Sequence, residues 1–585
     1  MEVEETFIQR RNSYNGSLHR DSSKWAHFFI TIRKYKKSIV KGFTLIAILV
    51  YVAYAISIRF GDEDSVRLLM CTVVGLLFLA WRQIIRRYPE IFKFRKSIKV
   101  LHDRRFRRII RWILYIVVGI GAAIYTIVYS LIDHPENLVS LGGIAFFLIV
   151  TYATSTNRAK VNWHTLYWGI LIQLLFGILF VSSEFGVTVM TYVSQRFSEL
   201  TSYSDSGAIY VFGPRYSEFR MIFQTMPRIL FFITLINVLQ YLGTISFLMR
   251  TFGSFLAYCL GTKPVESFVA VTNIIMGSSE AFMSVSPYLD GISKSELFAL
   301  LVCGMASAAG DALIFYKSFG APMIHLLTAS IMSAPAALVC AKMNMPEETV
   351  KKEKAENSKN DNDADMKTDT LDIRCTKMSD SRNILEALTK GAEMGTKVVT
   401  TIVISMLVYI SLIEFLNMTV GWLGDRIDVN ELTFEKILSY LLWPIAFIIG
   451  IPSSDCLIIG RFLGIRGFIS VSLSYLQMGQ FIENKKQLSS YEAKYNDTVF
   501  LSNRDIFLPM WNTTLTEGVL EDRTEVIGTF ALCGFSCLPV LGMTLGIFAT
   551  IAPKRLIDIT EIIFRAFVIS NFASLLTSCV AGKPC

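Results

Sequence analysis

Two short stretches put an acid beside paired hydroxyls within otherwise apolar sequence: Gly277-Ser278-Ser279-Glu280 and Pro452-Ser453-Ser454-Asp455. A carboxylate at membrane depth costs about 2.5–3.5 kcal/mol on insertion scales, and it persists where it faces a cavity, an ion or a partner. Glu280 and Asp455 are therefore candidates for solute binding, with the neighbouring serines able to donate and accept hydrogen bonds. The plainer alternative is that either acid pairs with a Lys or Arg inside the protein. Such groups suit a small, neutral, hydrogen-bonding solute. Asn273, near the first of these stretches, offers an amide oxygen suited to a hard cation, although an Asn in a membrane helix more often bonds a neighbouring helix. Asp311 and Lys317 do not share a helix face at i,i+4 spacing. Lys317 is free to snorkel toward the interface, which leaves Asp311 as a candidate proton or cation group. Glu393 and Lys397 do have i,i+4 spacing and read as a structural pair. No HExxH, GxSxG, P-loop or paired-histidine motif occurs and the six histidines are scattered, so the residues do not favour an enzyme. The ten cysteines form no CxxC pair and read as small core hydrophobes.

The elements that must position these groups are membrane helices. Of 585 residues, 52% are hydrophobic and only 18% charged, less charge than a soluble chain of this size carries. The apolar residues gather in windows of the length that crosses a bilayer, about 20 residues as helix. An all-α polytopic membrane protein follows, because backbone in lipid must satisfy its own hydrogen bonds. A basic N-terminus, 1–41, precedes three to four spans over 42–160. The net charge of +9 is concentrated at the membrane flanks, with nine Lys/Arg in 1–41 and twelve in 82–111. That distribution fits anionic lipid rather than nucleic acid, and the positive-inside rule puts the N-terminus in the cytoplasm.

Residues 161–342 form a first half of the core, with runs at 163–182, 225–246, 295–316 and 322–341. Residues 184–200 are amphipathic, and a polar stretch follows from Ser202 to Tyr216. Within this half, 264–290 is broken at Gly277–Glu280 and closed by Pro287, which reads as two half-length helices meeting at a polar tip. Residues 343–382 read as a hydrophilic disordered linker. The second half, 383–585, repeats the device: a span at 397–416, an interrupted segment at 432–475, a polar loop at about 480–522, and runs at 524–551 and 558–580. The 524–551 run is interrupted at Gly534 and Pro539. Paired interrupted segments in two halves point to a transporter with inverted repeats, and favour a carrier over a channel. Asn417, Asn496 and Asn512 begin glycosylation sequons, those of the polar loop being the better candidates.

Several stretches resemble the concentrative nucleoside transporter family. They are Pro322–Ala337 (PMIHLLTASIMSAPAA), the interrupted segment 264–289, Thr529–Phe535 (TFALCGF), Ala552–Arg555 (APKR) and Cys579–Gly582 (CVAG). They fall in the family's order over roughly residues 160–582, and the leading spans and basic N-terminus are similar to its eukaryotic members. The resemblance implies a fold with two re-entrant hairpins, a homotrimer in the plasma membrane, and import of a nucleoside-type solute driven by sodium or protons through an elevator-type movement, with no other cofactor. It implies solute contacts at Gly277, Ser278, Ser279 and Glu280 of the first hairpin, at Asp455 of the second, and at Phe535, Cys537 and Val540. It places sodium ligands on the side chains of Asn273 and Ser307 and the carbonyls of Met276 and Ala308. The chain departs from the family where the base-binding Gln is Ser278, where an acid is lost from Ser470–Tyr475, and where the ribose-binding Asn and Ser are Cys537 and Val540. Asp311 stands where the family usually has serine. These departures imply altered selectivity; the alternative is a family-derived membrane sensor or scaffold that no longer transports.

Overall fold

Apolar segments with no water to satisfy their peptides become helices, and the order of those helices is set by where polar or small residues interrupt them. The computed structural model describes residues 136–347, 381–429, 432–495, 499–500 and 504–582, together with isolated residues between 50 and 121. The expected spans at 42–59, 66–81 and 110–132, most of the 343–382 linker and the Asn496 sequon lie outside the described residues. The chain divides into units 1–115 and 116–585, and every element below belongs to the second.

The first half runs α1 (Asn137–Ala153), α2 (Trp163–Gly177, continued by a π turn, Ile178–Ser182), α3 (Glu184–Ser202), α4 (Ser204–Phe212), α5 (Met226–Leu242), α6 (Thr244–Leu260), α7 (Pro264–Met276), α8 (Ser278–Ser284), α9 (Lys294–Ala306), α10 (Gly310–Ser318) and α11 (Met323–Asn344). The second half runs α12 (Ile384–Asp425), α13 (Phe434–Ile448), α14 (Cys456–Phe468), α15 (Val471–Glu492), α16 (Asp522–Leu532), α17 (Leu538–Ile551) and α18 (Leu556–Ala581). Among the described residues, six helical stretches are long and apolar enough to cross a membrane. Side-chain caps start several helices, among them Ser293 accepting from the Glu296 N–H and Thr433 from that of Lys436.

Four expectations change. The polar stretch Ser202–Tyr216 contains a helix, α4, anchored by a two-pronged bond from Arg228 to Asp205 at 2.9 and 2.6 Å. The run 295–316 is long and apolar enough to cross a membrane but is broken inside it: Ser307 and Ala309 are extended, so α9 and α10 are separate helices. The run 397–416 is the centre of a 42-residue helix, about 63 Å long at 1.5 Å per residue. The polar loop after α15 folds into an antiparallel sheet of β1 (Val499–Phe500), β2 (Ile506–Leu508) and β3 (Thr513–Leu515), in that order. Sequence periodicity misses such short strands.

The core is built around α7, α9, α11 and α18. Every α9 residue from Ser295 to Ala306 is buried. A helix apolar on all sides belongs inside the protein, so α9 is sheathed by other helices rather than by lipid. Acids at the ends of these central helices are neutralised in place: Lys342 pairs with Glu266 and Lys263 with Glu296.

Candidate functional site

Three breaks in helical backbone meet in this core. The first separates α7 from α8 at Gly277, whose φ of +99° lies in the region that favours glycine. A Cβ there would sit 3.0 Å from Glu280 Oε2 and 3.4 Å from Ala309 Cβ, so the hairpin tip touches the second break. That second break is Ser307–Ala309, extended between α9 and α10. A Cβ on Gly310 would meet the Ile275 carbonyl at 3.1 Å, which again brings α7 against it. The third is the turn between α16 and α17, with Cys537 extended and Pro539 opening α17. Ser536 Oγ donates to the Met305 carbonyl at 2.8 Å, and Gly534 approaches the Ala306 carbonyl.

Peptide groups freed by such breaks are the polar equipment of the site. Asn273, on the last turns of α7, is buried. Its Nδ2 donates to Ser307 Oγ at 2.8 Å, to the Cys303 carbonyl at 2.9 Å and to the Gly304 carbonyl at 3.2 Å, with the Ser307 carbonyl at 3.4 Å. Neutral oxygens of the type that a hard cation takes thus gather around the Asn273 amide, where its NH2 group sits in this arrangement. Their chemistry fits sodium. Met276 and Ala308 lie buried at the same two breaks, and the Ala308 carbonyl accepts from Ser330 Oγ at 3.0 Å. Ser278, Ser279 and Glu280 form the half-buried first turn of α8. No cation lies within ion-pair distance of Glu280 among the described residues. Phe535 is half-buried, whereas Cys537 and Val540 are buried.

Asp455 has different surroundings. Its carboxylate is fully buried, and both oxygens are engaged: Oδ1 accepts from Arg504 Nη2 at 2.7 Å and Oδ2 from the Glu521 N–H at 3.2 Å. Arg504 also donates to the Ser454 carbonyl at 2.8 Å and the Val519 carbonyl at 3.0 Å. A solute reaching Asp455 in this conformation would have to displace Arg504. The other side of the same break is held by Arg523, which donates to the Gly450 carbonyl at 3.0 Å and to Asn137 Oδ1 of α1 at 2.7 Å. Below it, Arg461 grips Glu517 of the polar loop at 2.8 and 2.5 Å, and these bonds hold the Glu517 carboxyl below its ordinary range.

Sequence reasoning passed over Arg466, a cation within the apolar run after Asp455. It is almost wholly buried and donates to the Ala531 carbonyl and to Ser574 Oγ, beside Gly534. Tyr316 and Tyr475 stack nearby with ring centroids 4.3 Å apart. The signal was available, since a basic residue in an apolar run is itself a functional flag. Arg504 carried no comparable signal, because it lies in polar sequence. Glu393 and Lys397 do pair, at 2.8 Å. The Asn417 side chain, on α12, accepts from the Phe434 N–H that opens α13, at 3.0 Å.

Comparison with known proteins decides the family. Models for the Na+ dependent nucleoside transporter match in its N-terminal part over residues 142–215 and in its C-terminal part over 325–582, with a nucleoside recognition model over 222–323. Solute carrier family 28 member 3 of Mus musculus is 30% identical over 568 residues, 97% of this chain and 75% of that protein. The chain belongs to the Na+ dependent nucleoside transporter family. Sodium/nucleoside cotransporter 2 of Rattus norvegicus is 29% identical, covering 93% of this chain and 77% of that one. Among solved structures, CNTnw in an inward-facing substrate-bound state matches with a TM-score of 0.63 at 28% identity, over 76% of this chain and 97% of that one. A CNTnw variant in an outward-facing state gives 0.64 at the same identity. This family member is a multi-pass membrane protein and a sodium-coupled nucleoside transporter, not an enzyme. Of sodium and proton, which the residues left open, the family names sodium.

Proposed function

We propose that this chain imports nucleosides into the cell against their gradient, coupled to sodium, with the solute held where the three backbone breaks meet. The observation that carries this reading is the meeting itself: the tip of the first hairpin touches Ala309, and the 533–537 turn bonds back to Met305. Glu280, with no cation on it, accepts hydrogen bonds from the nucleobase, and Gly277, Ser278 and Ser279 line the same tip. Phe535 packs against the solute, while Cys537 and Val540 face the sugar. Asn273 and Ser307 side chains and the Met276 and Ala308 carbonyls hold sodium, which supplies positive charge that tightens the first hairpin around the solute. Asp455 fastens the second hairpin to the polar loop instead of touching the solute.

A wall of Cys537 and Val540 has little to offer ribose hydroxyls. Strong rejection of an analogue lacking a hydroxyl requires a polar group left unpaired in its absence, so ribonucleosides and deoxyribonucleosides enter at similar rates. The working assembly is a homotrimer in the plasma membrane, with a cytoplasmic N-terminus and one elevator-like moving site per protomer.

Isotope uptake of a nucleoside panel into proteoliposomes, with an inward sodium gradient and without one, tests this. Accumulation above equilibrium only with the gradient is expected. Sodium-dependent binding without accumulation would overturn transport and favour a sensor or scaffold.

A further inference from the structure

Arg466 stands in the last turn of α14, and its side chain is almost wholly buried. No acid lies within ion-pair distance of it among the described residues, and its hydrogen bonds go to neutral oxygens. A buried charge without a counter-charge is costly, so stability alone does not account for a guanidinium here. What the guanidinium holds is the third backbone break.

Nη1 donates to the Ala531 carbonyl, among the last carbonyls of α16. No further helical turn can satisfy these carbonyls, and the helix dipole favours positive charge beside them. Nη2 donates at 2.6 Å to Ser574 Oγ on α18, whose own proton goes to the Asn571 carbonyl at 2.9 Å. One side chain of α14 thus joins the end of α16 to α18 where the chain leaves helix. Gly534 is wedged against it: a Cβ there would lie 2.5 Å from Nη2, 3.1 Å from Ser574 Cβ and 3.2 Å from the Ala306 carbonyl. Two residues on, Ser536 Oγ donates to the Met305 carbonyl at 2.8 Å, with Ser570 Oγ at 2.9 Å. The turn is therefore fixed on both sides of Phe535. Of residues 531–537, Phe535 alone is partly exposed.

We propose that Arg466 is a positioning residue for the solute site: without touching the solute, it holds the 533–537 turn so that Phe535 stands out of the packed turn toward the solute. This deepens the proposed function and rests on its placing of Phe535. The two acceptors lie on different helices, which suits the planar fork of Arg better than the single ammonium of Lys.

Uridine uptake kinetics in proteoliposomes and melting temperatures in detergent, both on full-length protein, test this. Arg466→Met keeps the length of the side chain and removes the charge and both bonds. Its KM for uridine should rise about tenfold, the size of one lost hydrogen bond to a charged group. Its maximal rate, half-saturating sodium concentration and solute-free melting temperature should stay near wild type, since Asn273 and Ser307 are held by their own bonds. Arg466→Lys should recover part of the loss, because the charge remains. Gly534→Ala, which keeps Arg466 but pushes the turn off it, should raise KM in the same way. The double variant Arg466→Met with Gly534→Ala should be no worse than the worse single, because both act on one turn. The proposal is overturned if KM is unchanged in both Arg466→Met and Gly534→Ala. It is equally overturned if KM, sodium half-saturation and melting temperature move together, the mark of a merely structural bond. Should Arg466→Met fail to fold, unchanged KM in Arg466→Lys and Gly534→Ala overturns it. If wild type accumulates no uridine, yet uridine raises its melting temperature and Arg466→Met needs about tenfold more uridine for the same shift, transport falls and the role of Arg466 stands.

Discussion

The two hairpin tips share a sequence pattern and differ in almost everything else. Each has a small or rigid residue, two serines and an acid, yet Glu280 stands unpaired at the meeting of three breaks, whereas Asp455 is buried under Arg504 and the Glu521 N–H. The contrast arises outside the hairpins. The first tip packs against Ala309, beyond which lies another acid. The second packs against a polar loop whose Arg504, at φ +69°, turns back to seize the Ser454 carbonyl and the Asp455 carboxylate together. An intramembrane acid is thus open to a ligand or closed by a resident cation according to its neighbours, not its local motif.

The largest expected effect comes from the open tip. Glu280→Gln keeps size and shape but removes the charged acceptor. A hydrogen bond to a charged group is worth about 1.5–3 kcal/mol, so nucleoside uptake at subsaturating concentration should fall about 10- to 100-fold, with little change in melting temperature. Full uptake of every nucleoside tested would remove Glu280 from the site.

The closed tip should respond in the opposite sense. Arg504→Ala strands a buried carboxylate, and stability should fall by about 1–3 kcal/mol. The lower part of the range applies because the Arg504 side chain is 39% exposed. Asp455→Asn should lose less, since Asn can still accept from Arg504 and loses only the bond from the Glu521 N–H. If Arg504→Ala left thermal stability untouched while abolishing nucleoside binding, Asp455 would belong with Glu280 after all.

A third variant asks what the sugar side lacks. Cys537→Asn with Val540→Ser restores hydrogen-bonding groups at two buried positions. The ratio of ribonucleoside to 2′-deoxyribonucleoside uptake should rise about tenfold, roughly the effect of one recovered hydrogen bond. An unchanged ratio would mean that these residues do not face the sugar.

The smallest effect concerns the loop that closes the second tip. Bonds from Arg461 hold Glu517 below the ordinary carboxylate value of about 4.5. A depressed folded value means that this contribution is complete above about pH 4.5 and is lost as pH falls through the lowered value. Wild type should therefore shed more stability than Glu517→Gln in thermal melts taken from pH 6 down to pH 3; parallel profiles would deny the clamp a role.

Both tips were legible in the sequence because Ser-Ser-acid interrupts apolar runs where a bilayer makes such residues conspicuous. Ser307–Ala309 was not legible as a break from pattern alone: Ala306-Ser307-Ala308-Ala309 offers no proline and no charge, and only packing against Asn273 and Ser330 pulls it out of helix. The ring of family positions around it was available through resemblance. The fate of Asp455 was hidden because its partner lies 49 residues away, and nothing local announces which basic residue will return. The β1–β3 sheet was hidden for a similar reason: strands of two or three residues are too short to display an alternating pattern.

The two tips are separated most directly by measuring sodium-driven uridine uptake and thermal stability side by side for Glu280→Gln and Arg504→Ala in proteoliposomes of matched protein content. The account predicts that Glu280→Gln loses at least tenfold in uptake while keeping its melting temperature, and that Arg504→Ala melts earlier while keeping uptake within about threefold per folded protein. Normal uptake in Glu280→Gln together with abolished uptake in fully folded Arg504→Ala would contradict it.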